Sequence, residues 1–209
     1  MVYHAPCASH LVCAVTQDPN GAPMLVSVPT TAEGLRLDTL RTMDGQTAAD
    51  LTFDGVLVPD SDVWVTADPP AIEWLEDLAI LALAADTLGS AERTMALTIE
   101  YLKTRQQFGG PIGRFQALQH RASGMVAEDE LCKGMMILAA IEADNGDANA
   151  RKSAISASKV QLQQGGWYVQ ENAVQLFGGI AITDEQDVGL YFKRIRVLQG
   201  LFGDADWHL

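Results

Sequence analysis

A helical pattern of unusual reach is the strongest constraint on this chain. From Ala71 to about Gln106, Leu75, Leu78, Ala79, Ala82, Leu88, Met95, Ile99 and Leu102 fall on helical spacings and make one continuous apolar face. Such a face has to be buried against other elements, and the downstream sequence supplies them. Phe108-Gly109-Gly110-Pro111 stops the first pattern, because glycines and a proline together cannot continue a helix. A second helix is predicted from near Phe115 to Asp144, stopped by Asn145-Gly146-Asp147, and a third from Ala148 to Leu176, ended by Phe177-Gly178-Gly179. A fourth runs from Asp184 to about Phe202, with Thr183 as N-cap and Asp184, Glu185 and Asp187 complementing the helix dipole. Helices joined by turns this short pack antiparallel, so a four-helix bundle follows.

Upstream of Asp68-Pro69-Pro70 the pattern changes. Leu11 to Thr16, Met24 to Val28 and Asp50 to Val58 read as strands, separated by the turn formers Asp18-Pro19-Asn20-Gly21 and Asp44-Gly45. Three or four strands cannot bury both of their faces alone, so this segment needs covering by a helix or another chain. The predicted fold class is therefore α+β, with a small partial β-domain over 1–68 and an antiparallel four-helix bundle over 69–209. A chain of 209 residues, 48% hydrophobic and 20% charged, holds at most one large and one small unit and is not a disordered one.

Charge and cysteine content exclude several function classes. The balance of 14 Lys+Arg against 27 Asp+Glu gives a net charge of −13, which repels nucleic acid and anionic membrane surfaces. Cys7, Cys13 and Cys132 form an odd set without a C-x-x-C, so neither a disulfide framework nor a zinc knuckle is indicated, and a reducing, cytoplasmic compartment is expected. The most apolar stretch, Leu78 to Leu83, is too short to cross a bilayer, and the opening residues lack the basic and apolar regions of a signal peptide. No metal site is predicted, since His4, His10 and His208 are scattered and His120 stands alone on a helix. Ser153, Ser156 and Ser158 lack a neighbouring base, which argues against nucleophilic catalysis.

Three segments carry possible chemistry. In Tyr101-Leu102-Lys103-Thr104-Arg105-Gln106-Gln107-Phe108-Gly109-Gly110-Pro111-Ile112-Gly113-Arg114-Phe115-Gln116, the cations Lys103 and Arg105 sit at a helix end favoured by the dipole. They either cap that helix or, through the arginine fork, hold phosphate oxygens. In Gln175-Leu176-Phe177-Gly178-Gly179-Ile180-Ala181, the paired glycines either terminate a helix or let backbone amides approach an anionic ligand. Tyr191-Phe192-Lys193-Arg194-Ile195-Arg196 is a cationic run that reads as a solvated face or a subunit contact.

In order and spacing these segments resemble the carboxyl-terminal half of the acyl-CoA dehydrogenase family. The form Tyr-x-Lys-x-Arg-x-Gln-Phe-Gly-x-Pro-Ile-Gly-x-Phe-Gln is highly specific, and Gln-x-Phe-Gly-Gly-Ile followed by Thr-Asp-Glu-Gln-Asp-x-x-Leu-Tyr-Phe-Lys-Arg repeats the family's third-to-fourth helix junction. Met43 to Pro59 also looks like the family's middle β-domain, so the resemblance covers nearly the whole chain and is densest from Leu88 to Phe202. It implies an FAD flavoprotein acting on acyl-CoA in fatty-acid or sterol catabolism, whose bundle drives homo- or hetero-oligomerisation and lends residues to a neighbouring subunit's flavin. By that resemblance Arg105 contacts the pyrophosphate, Gln107 and Phe108 line the adenosine and ribityl region, and Gln175, Gly178 and Gly179 approach the adenine end. The residue types suit these roles: a cation for phosphate, an aromatic for a planar ring, glycines for backbone approach.

The sequence departs from the family at the catalytic base. The family removes an α-proton with a glutamate carried in the tail of the last helix or in the first helix of the bundle, and alignment places those positions at about Gly200-Leu201 and Ala79. Neither holds an acid. Glu76, one helical turn before Ala79, is the sole displaced candidate, against the favoured reading of it as a solvated helix residue. Asp204 and Asp206 follow the tail position, and Gly203-Asp204-x-x-x-His208 looks like an actinobacterial branch in which unlike subunits pair and one lacks the base. Ala181 replaces the last glycine of the usual Gly-Gly-x-Gly and is expected to add a methyl near the adenine end. The resemblance also starts inside the β-domain, whereas the family normally begins with a helical domain and a first half of the β-domain that supply the acyl pocket and the hydrogen bonds to the flavin ring.

Overall fold

The computed structural model describes all residues except 17–20, 22, 65–68, 146 and 184. Most of the predicted Asp18–Gly21 turn, Asp68 of the predicted boundary, Gly146 of the predicted turn and Asp184 of the predicted helix start lie outside the described residues. The chain forms two compact units, Met1–Glu76 and Asp77–Leu209.

The first unit is built from short antiparallel sheets. Strands β1 (Val2–Tyr3), β2 (His10–Thr16), β3 (Pro23–Pro29), β4 (Leu35–Arg41), β5 (Thr47–Phe53) and β6 (Val63–Trp64) assemble in the orders β1-β5-β4 and β2-β3-β6. Leu11 pairs with Val28 in one sheet and Leu37 with Leu51 in the other. The strand β4 was not among the predicted runs, although Leu35, Leu37 and Leu40 among polar neighbours carry much of the two-residue period of a half-buried strand. The predicted Asp50–Val58 run ends early, at Phe53: the Asp54 amide donates to Gly34 O at 2.9 Å and Gly55 turns the chain at a φ of 66°. Ala5, Leu11 and Ala49 form a small core, and a mostly apolar cleft of about 660 Å³ lies over Val15, Val26, Val28, Phe53 and Val63. Val26 and Val28 are buried at its floor, while Val15 and Phe53 are exposed.

The second unit begins within helix α1 (Pro69–Thr104) and holds α2 (Gln116–Asp144), α3 (Ala148–Phe177), α4 (Val188–Gln199) and the short α5 (Ala205–His208), and a small hairpin, β7 (Gln106–Gln107) with β8 (Gly110–Pro111), joins α1 to α2. Core contacts fix the helix directions. Ile80 clusters with Ala139 and Ile155, Leu88 with Cys132 and Leu162, and Leu102 with Met125 and Val169. Numbers rise along α1 and α3 while they fall along α2, so α2 runs opposite to both. Lys159 meets Leu198, and Gln163 meets Gln199, while Val188 packs in the cluster of Phe177, so α4 returns along α3. The architecture comprises an antiparallel four-helix bundle and a small β unit, an α+β fold.

Polar side chains tie the helices where the apolar faces leave off. Gln170 Nε2 donates to the buried Thr94 Oγ1 at 2.8 Å, and Arg151 Nε donates to Asp77 Oδ2 at 2.8 Å with both side chains buried. Close helix approach depends on Gly165, where a Cβ would stand 2.5 Å from Cys132 Sγ. Helix α4 is shorter at both ends than its sequence pattern. Thr183 does not cap it: its hydroxyl donates to Ile180 O at 2.8 Å within a 3-10 turn over Gly178–Ile182. The N-cap position belongs to Asp187, so Glu185 lies outside the helix.

Candidate functional site

Arg105 follows the last residue of α1, and its amide still donates to Tyr101 O at 2.8 Å, extending the helical ladder by one bond. Its carbonyl accepts from the Ile112 amide at 2.9 Å, which closes the base of the hairpin that follows. Gln107 pairs with Gly110 across that hairpin, and Phe108 and Gly109 form its two-residue tip at φ values of 51° and 82°. The Phe108 ring is 83% exposed. Gly113 is dictated by packing: a Cβ there would stand 2.8 Å from Leu102 O, so only glycine lets the segment return beneath the end of α1.

The second predicted segment lies at the same end of the bundle. Phe177 stacks on Tyr101, with ring centroids 4.2 Å apart and an interplanar angle of 17°, one helical turn before Arg105. Gln175 and Gly178, on either side of Phe177, are exposed, as is Gly179. Gly178 ends α3 at a φ of 68°, and the space where side chains of Gly178 and Gly179 would project is open. The fold thus gathers Arg105, Gln107, Phe108, Gln175, Gly178 and Gly179 at one end of the bundle, around an aromatic stack that the sequence motif contains without showing its purpose. Ala181 departs from expectation. Its methyl is fully buried in the core with Phe177 and Val188 and does not face the surface glycines.

These residues offer the contacts a dinucleotide requires. Arg105 is exposed and has no carboxylate partner among the described residues. A planar ring is presented to solvent beside it, and backbone is bare of Cβ atoms at two further positions. A phosphate-bearing aromatic ligand such as FAD fits that donor set.

Glu76 is not part of this cluster. It is exposed near the start of α1, separated from Arg105 by 29 residues, roughly 40 Å along a helix axis. Asp77 points into the bundle and is committed to Arg151. At the tail position, Gly200 and Leu201 follow α4, Phe202 and Gly203 take left-handed φ values of 56° and 87°, and Asp204 accepts from the Trp207 amide at 3.0 Å as the N-cap of α5. His208 ties this tail back, one ring nitrogen 3.1 Å from Ser156 Oγ, so that serine does have an imidazole neighbour, contrary to expectation, and the other 2.9 Å from Phe202 O.

The cationic run on α4 is largely structural. Arg194 pairs with Asp86 on α1 at 2.5 Å, and Arg196 lies 5.5 Å from the ring centroid of Trp167 on α3. Sequence reasoning missed Lys159. Its ammonium is buried and donates to Leu198 O at 2.9 Å and Leu201 O at 2.8 Å, at the end of α4. Burial lowers its pKa to about 8 against the opposing pull of Asp204. A lysine between Ile155 and Leu162 on the core face of a predicted helix was the available signal. Among the described residues no cluster of His, Cys, Asp and Glu could hold a metal, and no helix is long and apolar enough to cross a membrane.

Comparison with known proteins agrees with this layout. The family model for the acyl-CoA dehydrogenase C-terminal domain matches residues 78–209. The acyl-CoA dehydrogenase IpdE2 of Mycobacterium tuberculosis is 40% identical over 121 residues, 57% of this chain and 36% of that protein. A variant of the Tcur3481–Tcur3483 steroid ACAD superposes with a TM-score of 0.85 at 32% identity, covering 96% of this chain and 53% of the other. The ChsE4–ChsE5 complex from Mycobacterium tuberculosis shares the fold, with a TM-score of 0.86 at 22% identity over 99% of this chain and 55% of that one. The chain therefore spans about a third to half the length of these relatives. With the family model spanning nearly all of the bundle, and with mycobacterial proteins among its relatives, the chain belongs to the acyl-CoA dehydrogenase family, in its actinobacterial-type branch.

Proposed function

We propose that this chain provides the flavin-contacting bundle of a cytoplasmic, FAD-dependent acyl-CoA dehydrogenase that desaturates acyl-CoA thioesters between the α and β carbons, in fatty-acid or sterol side-chain catabolism. The observation that carries this reading is the meeting of the Arg105–Phe108 hairpin and the Gln175–Gly179 turn at one end of the bundle, drawn together by the Tyr101–Phe177 stack. Arg105 would hold the pyrophosphate, Gln107 and Phe108 the adenosine and ribityl region, and Gln175, Gly178 and Gly179 the adenine end. When bound, FAD supplies the hydride acceptor for the desaturation. The chain's own residues supply a fixed cation, an exposed ring and open backbone, contacts that bind and orient without moving a proton. The 32% identity with a steroid ACAD supports the sterol branch of this proposal.

A specific observation favours a refinement in which the chain works as a non-catalytic or truncated subunit of a homo- or hetero-oligomer, completing the FAD site of a complete acyl-CoA dehydrogenase subunit. Ala79, Gly200 and Leu201 occupy the aligned base positions, Asp77 is neutralised by Arg151, and Asp204 serves as a helix cap. The aligned positions themselves therefore carry no carboxylate to take the α-proton, and the partner would carry it.

The test is purification of the chain alone and together with the product of a neighbouring reading frame encoding a fuller dehydrogenase, followed by flavin absorbance and acyl-CoA-dependent dye reduction. Flavin and turnover in the paired preparation only, with flavin lost in Arg105→Ala and turnover unchanged in Glu76→Gln, are the expected results. Turnover by the isolated chain would refute the non-catalytic reading, and absence of flavin from both preparations would refute the proposal as a whole.

A further inference from the structure

The tip of the hairpin between α1 and α2 holds a backbone conformation that its sequence disfavours. Two central residues at positive φ make the primed turn that suits the twist of paired strands, and its usual occupants are Asn-Gly or Asp-Gly. Here the first position is Phe108, at a φ of 51°. An aromatic side chain in the left-handed region crowds its Cβ against the following carbonyl, whereas Gly109 at 82° meets no such cost. The Phe108 ring gains little burial in return: it is 83% exposed and touches Phe115 edge-on, with centroids 6.0 Å apart. Local strain of this kind persists where the surroundings over-determine the conformation.

The surroundings are supplied by Arg114. Its Nη2 donates to the Phe108 carbonyl and its Nη1 to the Gly109 carbonyl at 3.4 Å, so one planar guanidinium grips both carbonyls of the tip. The group lies 5.1 Å from the centroid of the Phe115 ring, which flanks it. Its path is clear because residue 110 is glycine, where a Cβ would stand 2.8 Å from Nη1. The base of Arg114 is held in turn by Gln119, whose Nε2 donates to Gly113 O at 2.8 Å.

We propose that Arg114 is a positioning residue of the flavin site: by gripping the carbonyls of Phe108 and Gly109 it keeps the hairpin tip in its left-handed turn and so presents the Phe108 ring outward, without itself contacting the cofactor. This inference rests on the reading of the hairpin as an FAD-binding element. The division of labour is physical. Arg105 has no carboxylate partner among the described residues and is available to an anionic ligand, whereas Arg114 directs one hydrogen of each Nη to the tip.

The test uses the chain purified together with the fuller dehydrogenase subunit of the proposed function, with this chain unmodified and as Arg114→Met, Arg114→Lys, Phe108→Gly and the Phe108→Gly/Arg114→Met double variant. Hydrogen exchange of the segment 105–113 reads the clamp without any cofactor, and quenching of FAD fluorescence on titration reads the site. Arg114→Met is expected to speed exchange in that segment about tenfold and weaken FAD binding about tenfold, equivalent to about 1.4 kcal/mol, while exchange elsewhere in the bundle and the melting temperature stay unchanged. Arg114→Lys should fall between, because a single ammonium lacks the planar fork. In the Phe108→Gly background, where the tip takes positive φ without help, Arg114→Met should add no more than about twofold to either readout.

Unchanged exchange in Arg114→Met overturns the proposal. An equal loss of FAD affinity in both backgrounds also overturns it, because Arg114 would then be touching the ligand. Exchange accelerated throughout the bundle shows a general structural role and overturns it as well. If the unmodified chain binds no FAD in any preparation, the proposed function fails, while the exchange experiment still decides the clamp.

Discussion

Replacing Lys159 with methionine should change how the stability of this protein depends on pH, and the size of the change follows from where the ammonium sits. Lys159 is 4% exposed, its Nζ bonded to the carbonyls of Leu198 and Leu201, with Asp204 the charged group that favours its protonated form. Burial wins over that attraction and lowers its pKa from 10.5 to about 8. A group whose folded pKa lies below its unfolded value holds fewer protons in the folded state between those two values. Unfolding then takes up a proton, and stability rises with pH across that window. Below pH 8 the cost of burying the charge is fully present, and above 10.5 it is gone. At 1.36 kcal/mol per unit, the wild-type chain should gain about 3 kcal/mol relative to Lys159→Met between pH 7.5 and 10.5. Urea unfolding of both proteins at equal concentration, at half-unit pH steps, measures the difference directly. Cys132, whose thiol is pushed up to about 11 by burial, is common to both proteins and cancels. A difference that stays flat from pH 7.5 to 10.5, or that falls, would show that the ammonium is not desolvated and that the carbonyls of Leu198 and Leu201 are held some other way.

Removing one half of the buried Asp77–Arg151 pair with Arg151→Met should cost about 3–5 kcal/mol in urea unfolding, because it leaves an uncompensated carboxylate in the bundle. The double change Asp77→Leu/Arg151→Met should recover most of that loss. Gly165→Ala should cost about 1–3 kcal/mol by forcing its methyl against Cys132 Sγ, and Cys132→Ala should relieve it in a double-mutant cycle. Thiol titration with an aromatic disulfide at pH 8 should label the exposed Cys7 first and the half-buried Cys13 more slowly. Cys132, 1% exposed and with its pKa raised, should react on unfolding alone; fast labelling of it in the native protein would refute the packing around Gly165.

Much of the bundle was legible because helix formation is local. The breaks at Phe108–Pro111 and Phe177–Gly179 and the apolar spacing of α1 to α3 predict helix ends to within two residues of those observed. Helix α4 was overextended because acidic residues ahead of a helical pattern look like a first turn whether or not they are helical. The strand β4 was passed over because charged residues interrupt its leucines on the face they leave exposed. Among the site residues, the motif from Tyr101 to Phe115 names its own members. It does not say that Tyr101 is there to stack on Phe177, a residue 76 positions away, because ring stacking across helices depends on how two helices are rotated against each other.

The elements, their order and the specific motifs that mark the family can be read along the chain, because each depends on neighbours within a few residues. The use to which charged and polar groups are put is set by the packing of distant segments. Asp77 and Glu76 are adjacent carboxylates in sequence, yet helical rotation buries one against Arg151 and leaves the other in solvent. Arg105 and Arg114 are arginines of one loop, yet backbone geometry turns Arg114 to the carbonyls of Phe108 and Gly109 and leaves Arg105 without a carboxylate partner among the described residues. Lys159 reads as an ordinary helix cation until α4 returns along α3 and places two carbonyls over it. The reason is physical: a charge takes its meaning from the groups within a few ångströms of it, and in a bundle those groups come from helices far apart in the chain.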